Sequence, residues 1–182
     1  MKEDMRTVAK KWVEVSLAPN SRIALEEPFF MPRLNFSLGQ LQEKYQGIPT
    51  LNHFSKGEER RIQFLISEQS RGKIGYELHY LTDDTNASHF LFSQPKISYN
   101  FEGLKKEGIE YVLIARLKEN HAQTEFYRVL QREAELVKRF SPYRDGREYP
   151  YDKQAQTGGP FLWRELWGRE RNGQPIEIYR LK

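Results

Sequence analysis

The chain has 182 residues, 38% hydrophobic and 30% charged, with a net charge of +4 and no cysteine; mean hydropathy is -0.79. That length suits one domain, 1–182, with a substantial core. Disulfides and thiolate metal sites are excluded, no window approaches the roughly 20 apolar residues of a membrane span, and the basic bias is too mild for a nucleic-acid signature. Met1-Lys2-Glu3-Asp4 is not a signal peptide, so the chain as it stands is expected to be soluble.

Asp4 is placed to cap a first helix, with Met5, Val8, Trp12 and Val15 on one face. Pro19-Asn20 marks a turn, and Arg22 to Glu26 reads as the first strand. Ser37-Leu38-Gly39-Gln40 and Ser55-Lys56-Gly57-Glu58 have capping-box spacing. The first opens a short helix with Leu41 and Tyr45 on its apolar face. The second opens a helix with Ile62, Leu65 and Ile66 inward and Gly72 as its stop. Gly75 to Leu81 alternates, with Tyr76, Leu78 and Tyr80 on one face, as a half-buried strand does. Thr82 to Ser93 is a polar loop.

Asn100 is a candidate cap for a helix over 101–107, ended by Gly108. Tyr111 to Ala115 is apolar on both faces, which predicts a central strand covered on both sides. A helix follows from Gln123 to about Glu133, with Phe126, Val129 and Leu130 inward. Leu136 to Ser141 could continue that helix, but a strand is preferred, because Pro142 closes it and β-branched and aromatic residues flank its charges. The final strand, Ile176 to Leu181, alternates charged and apolar residues, which suits a sheet edge.

The long connection 143–175 exceeds the length of an ordinary loop and is rich in aromatic residues, among them Tyr149, Tyr151, Trp163 and Trp167. From Lys138 to Lys182 there are ten Lys/Arg against six Asp/Glu, so the basic excess concentrates here. Arg164 and Arg169 stand beside the tryptophans. Tyr149, Tyr151, Trp163, Arg164, Trp167 and Arg169 are therefore the candidate ligand or membrane contacts, through ring stacking and headgroup-depth anchoring. The alternative is that the rings fold back as a satellite core.

The usual chemical signatures are missing. Neither strand end carries the Gly-x-Gly-x-x-Gly of a dinucleotide site, and no Gly-x-Ser-x-Gly elbow occurs. No cofactor is expected. His53, His79, His89 and His121 lack metal-ligand spacing, and Asp83-Asp84 with Asn86 reads as a solvated turn. Glu26-Glu27 stand where α/β sheets place active groups, but neighbours on a strand point to opposite faces.

Met5 to Glu14 followed by Ala18 to Glu26, then Leu104 to Ile114, then Phe126-Tyr127-Arg128 through Leu136 to Pro142 and Pro175 to Leu181, together resemble one family. These stretches are similar to the region following the last membrane span of bacterial polytopic glycosyltransferases. The family is that of the dolichyl-phosphate-mannose protein mannosyltransferases and lipid-A aminoarabinose transferases. Phe29 to Phe92 has no counterpart. The resemblance implies a non-catalytic domain at the extracytoplasmic, periplasmic face of a bacterial inner membrane. Its partners would be the membrane-embedded part of its parent and a glycan or polyprenyl-phosphate-linked sugar. No catalytic residue is carried over, because the family's catalytic acid lies between membrane helices. The alternatives are a free-standing enzyme or binding protein of Rossmann-like shape, or a protein-interaction module. The expected fold is a three-layer Rossmann-like α/β sandwich, with a mainly parallel sheet and a C-terminal antiparallel strand pair.

Overall fold

The computed structural model describes residues 3–26, 31–47, 56–82, 96–115, 121–143 and 175–182. Helix α1, Met5–Ser16, is capped by Asp4, whose carboxylate accepts from the Arg6 amide at 2.9 Å. The Arg6 side chain also donates to that carboxylate and holds its pKa below the usual value. Strand β1, Arg22–Leu25, follows, then helices α2, Leu38–Gly47, and α3, Lys56–Gln69. Next come strands β2, Glu77–Leu81, and β3, Lys96–Ile97, helix α4, Phe101–Lys106, and strand β4, Tyr111–Ile114. Helix α5, His121–Glu133, strand β5, Glu135–Phe140, and strand β6, Ile176–Arg180, complete the described order.

The strands form one mixed sheet in the order β3-β2-β1-β4-β6-β5. β3, β2, β1 and β4 run parallel, while β6 is antiparallel to both β4 and β5. The chain lays down strands on one side of β1, then returns to place β4 on the other. Alternate residues of the central strands enter two hydrophobic clusters. Ile23, Leu25, Leu113 and Ile178 join Met5, Ala9 and Val13 of α1. Ala24, Val112, Ile114 and Tyr179 join Leu104 of α4 and Phe126, Tyr127 and Leu130 of α5.

Much of this follows from local chemistry. Asn100 caps α4 by accepting from the Gly103 amide, and Gly108 leaves the helix at φ 67. Gly72 does the same after α3, at φ 87. β4 is the buried, doubly covered strand that its apolar run predicts.

Three expectations change. The inward face of α1 is Met5, Ala9 and Val13, with Val8 and Trp12 at its flank, whereas Val15 is 87% exposed. The stripe follows a spacing of four, which leaves Val15 about half a turn from Val13. β6 is not an edge: it lies between β4 and β5, with Ile176 to Tyr179 buried. Its charges are accommodated because Glu177 pairs with Arg139, and Arg180 with Glu135 at 2.6 Å. β3 was not foreseen, since two residues give no alternation to read.

Ahead of the pairing with β3, which begins at Tyr80, the outer side of β2 is closed in two ways. Residues 35–37 run beside Tyr76, exchanging backbone hydrogen bonds of 2.9 and 2.7 Å. This approach requires Gly75, because a Cβ there would sit 2.3 Å from the Phe36 carbonyl oxygen. Beyond it, the buried Gln40 side chain imitates a strand: its amide donates to the Leu78 carbonyl and accepts from the Leu78 N–H, both at 2.9 Å. Gln40→Leu leaves both backbone groups without that partner and is expected to cost about 2–4 kcal/mol. Urea denaturation reads this as a lower midpoint at unchanged slope.

Candidate functional site

The parallel strands β1 and β4 end side by side where the strand order reverses, the place where open α/β sheets form ligand crevices. Glu26 follows β1 directly, and its N–H still donates to the Leu113 carbonyl at 2.9 Å. Strand alternation turns its side chain to the face of Ala24, beneath α5. There it is only 3% exposed. One carboxylate oxygen accepts from the Ala115 N–H at 2.5 Å, and the other accepts from the Tyr127 hydroxyl of α5.

A second buried carboxylate lies in the same row. Glu177 of β6, 6% exposed, pairs across the ladder with Ile114 of β4. Leu25 pairs with Leu113, so Glu26 stands level with Ile114 from the opposite side. With strands about 4.8 Å apart, the two glutamate Cα atoms are roughly 10 Å from each other. The Tyr179 hydroxyl donates to Glu177 Oε2 at 2.9 Å, and Arg139 Nε of β5 lies 3.3 Å from Oε1.

Chemically, the row fastens elements together. Glu26 ties α5 to the ends of β1 and β4, and Glu177 ties β5 to β6. Each carboxylate is stabilised in the apolar interior by directed donors, as burial of charge demands. A carboxylate beside a tyrosine hydroxyl at a strand end is also acid–base machinery for any substrate that reaches it.

Away from this row, His79 of β2 is half-buried opposite Ala24. Burial, reinforced by the nearby Arg22 guanidinium, lowers its pKa and favours the neutral ring. Arg22 is a surface staple at the other end of the sheet. Its guanidinium meets Glu77 at 2.7 Å and the Glu107 carbonyl at 3.0 Å.

Among the sequence-derived candidates, Tyr149, Tyr151, Trp163, Arg164, Trp167 and Arg169 lie outside the described residues, as do Glu27, His53, His89 and the Asp83-Asp84 turn. Glu26 is placed at the site. Glu177, Tyr127 and Tyr179 were missed. The signal for Glu177 was an acidic residue flanked by two isoleucines in a strand able to pair with β4. Among the described residues, no group of three or more His, Cys, Asp or Glu is arranged to hold a metal, and no helix is long and apolar enough to cross a membrane. No protein-family profile matches the chain, and no characterised protein or solved structure shows significant similarity to it.

Proposed function

We propose that this chain is a non-catalytic extracytoplasmic domain of a bacterial membrane glycosyltransferase, of the dolichyl-phosphate-mannose protein mannosyltransferase or lipid-A aminoarabinose transferase type. It is built as a Rossmann-like three-layer sandwich and helps position a glycan acceptor or a polyprenyl-phosphate-linked sugar. The observation that supports this reading is spatial. The stretches carrying the family resemblance contribute β1, β4, β6 and β5, which are four consecutive strands of the sheet. Phe29 to Phe92, without counterpart, contributes α2, α3 and β2 to the other side. A resemblance confined to four adjacent strands of the six is what a shared structural unit would give.

In this reading the segment 143–175 meets the membrane. Tyr149, Tyr151, Trp163 and Trp167 supply the rings, and Arg164 and Arg169 the cations, each worth about 1 kcal/mol near an anionic surface. Flotation with anionic liposomes, with and without a polyprenyl-phosphate-linked sugar, tests it. The wild type is expected to float, more strongly with the lipid-linked sugar. A folded Trp163→Ala/Trp167→Ala/Arg164→Ala variant should bind at least about tenfold more weakly. No flotation of the wild type on either membrane would refute the reading. The Glu26–Tyr127 and Glu177–Tyr179 pairs favour a second reading, a free-standing Rossmann-like enzyme or binding protein with its site at the strand ends.

A further inference from the structure

Gln40 holds α2 to β2, and α3 packs in turn against α2, where the Gln63 amide donates to the Tyr45 hydroxyl at 2.8 Å. On the inner side of α3, Ile62 is buried and Leu65 and Ile66 are half-buried. Phe64 stands about 160° round the helix from Ile62 and is 63% exposed. Arg60 and Arg61, both exposed, precede it by four and three residues and so flank the ring on the same face. Just beyond, Arg71 and Lys73 both pair with Glu68, one turn after Phe64. Among the described residues this outer face therefore carries four cations to one carboxylate, with an aromatic ring in the middle. Helix α1 offers the contrast. Val15 is more exposed still, at 87%, yet Lys11, one turn before it, is paired with Glu3.

A single exposed apolar side chain is ordinary, and the setting of Phe64 among cations is what gives it meaning. We propose that the outer face of α3 docks on an anionic phospholipid surface, with Phe64 entering the acyl boundary and Arg60 and Arg61 taking lipid phosphates. From Arg60 to Arg71 the cations spread along about 16 Å of helix axis, and a surface of repeating phosphates meets such a row at any spacing. Arginine stems can lie along the lipid tails while their guanidinium forks donate to phosphate oxygens at headgroup depth. Glu68 opposes this little, because Arg71 and Lys73 already neutralise it. The surface is built by α3 and the turn after it, so it depends neither on 143–175 nor on a lipid-linked sugar.

The chain has no cysteine, so Phe64→Cys and Val15→Cys each give a unique site for an environment-sensitive fluorophore. The probes are vesicles of phosphatidylcholine, alone or mixed with phosphatidylglycerol, and free of any sugar lipid. On the mixed vesicles the label at 64 is expected to shift to the blue and to be quenched by brominated acyl chains, while the label at 15 keeps its aqueous emission. In flotation of the unlabelled full chain, Arg60→Gln/Arg61→Gln is expected to bind about thirtyfold more weakly and Phe64→Ser about tenfold. All three positions are exposed, and far-UV circular dichroism verifies that the variants stay folded. Sodium chloride at about 1 M should release most of the wild type. No binding by the wild type, or equal binding by both α3 variants, overturns the proposal. So does an unshifted label at 64 on vesicles that carry the chain. If Trp163→Ala/Trp167→Ala/Arg164→Ala loses binding while the α3 variants keep it, the contact lies in 143–175 and not in α3. The reverse result upholds α3 and removes 143–175.

Discussion

Ile114→Ala is expected to destabilise the protein by about 2–5 kcal/mol, the range for removing a fully buried aliphatic side chain that its surroundings cannot replace. Ile114 is 0% exposed, in the cluster that β4 shares with α4 and α5. Its neighbours along the row are the two buried carboxylates, so a cavity there also loosens the packing around Glu26 and Glu177. Chemical denaturation measures the loss, and Val15→Ala, on the exposed side of α1, is the control, with a change within about 0.5 kcal/mol. A loss at Ile114 no larger than that of the control would mean that β4 is not the covered central strand.

The residues that disclosed their places early did so through local chemistry. Tyr111 to Ala115 could be read because a run apolar on both faces has few other homes, and α4 because Asn100 and Gly108 mark its ends within a few residues. The strand character of β5 was legible from Pro142 and the β-branched and aromatic residues before it. What stayed hidden depended on partners distant in sequence. Glu177 looks like an edge charge until Arg139 and Tyr179 are seen to satisfy it between two strands. Gln40 looks like the end of a capping box, yet its amide completes the hydrogen bonding of Leu78, 38 residues later. Tyr127 sits in a helix whose inward face seemed complete with Phe126, Val129 and Leu130, and it is buried because its hydroxyl has Glu26 to bond. The candidate site was legible in Glu26 alone. Adjacent strand residues do point apart, and that geometry turns Glu26 inward to a partner which no spacing rule connects with it.

Glu26→Ala is expected to cost about 3–5 kcal/mol, because it removes the buried carboxylate that accepts from the Ala115 N–H and the Tyr127 hydroxyl. Tyr127→Phe should cost less, since Glu26 retains the Ala115 N–H. If the two side chains act as one fastening, the double variant Glu26→Ala/Tyr127→Phe will be less destabilised than the sum of the single changes, with a coupling of about 1–3 kcal/mol. Glu26→Gln separates structure from chemistry. Its amide oxygen still accepts a hydrogen bond, so most of the stability should survive while the carboxylate is gone. In a positioning domain that variant floats with lipid-linked sugar as the wild type does. In the enzyme reading it remains folded and loses turnover, because an amide cannot exchange the proton that a carboxylate can. Additive single changes, or a Glu26→Ala variant as stable as the wild type, would show that the contact at the strand ends does not hold α5 to the sheet.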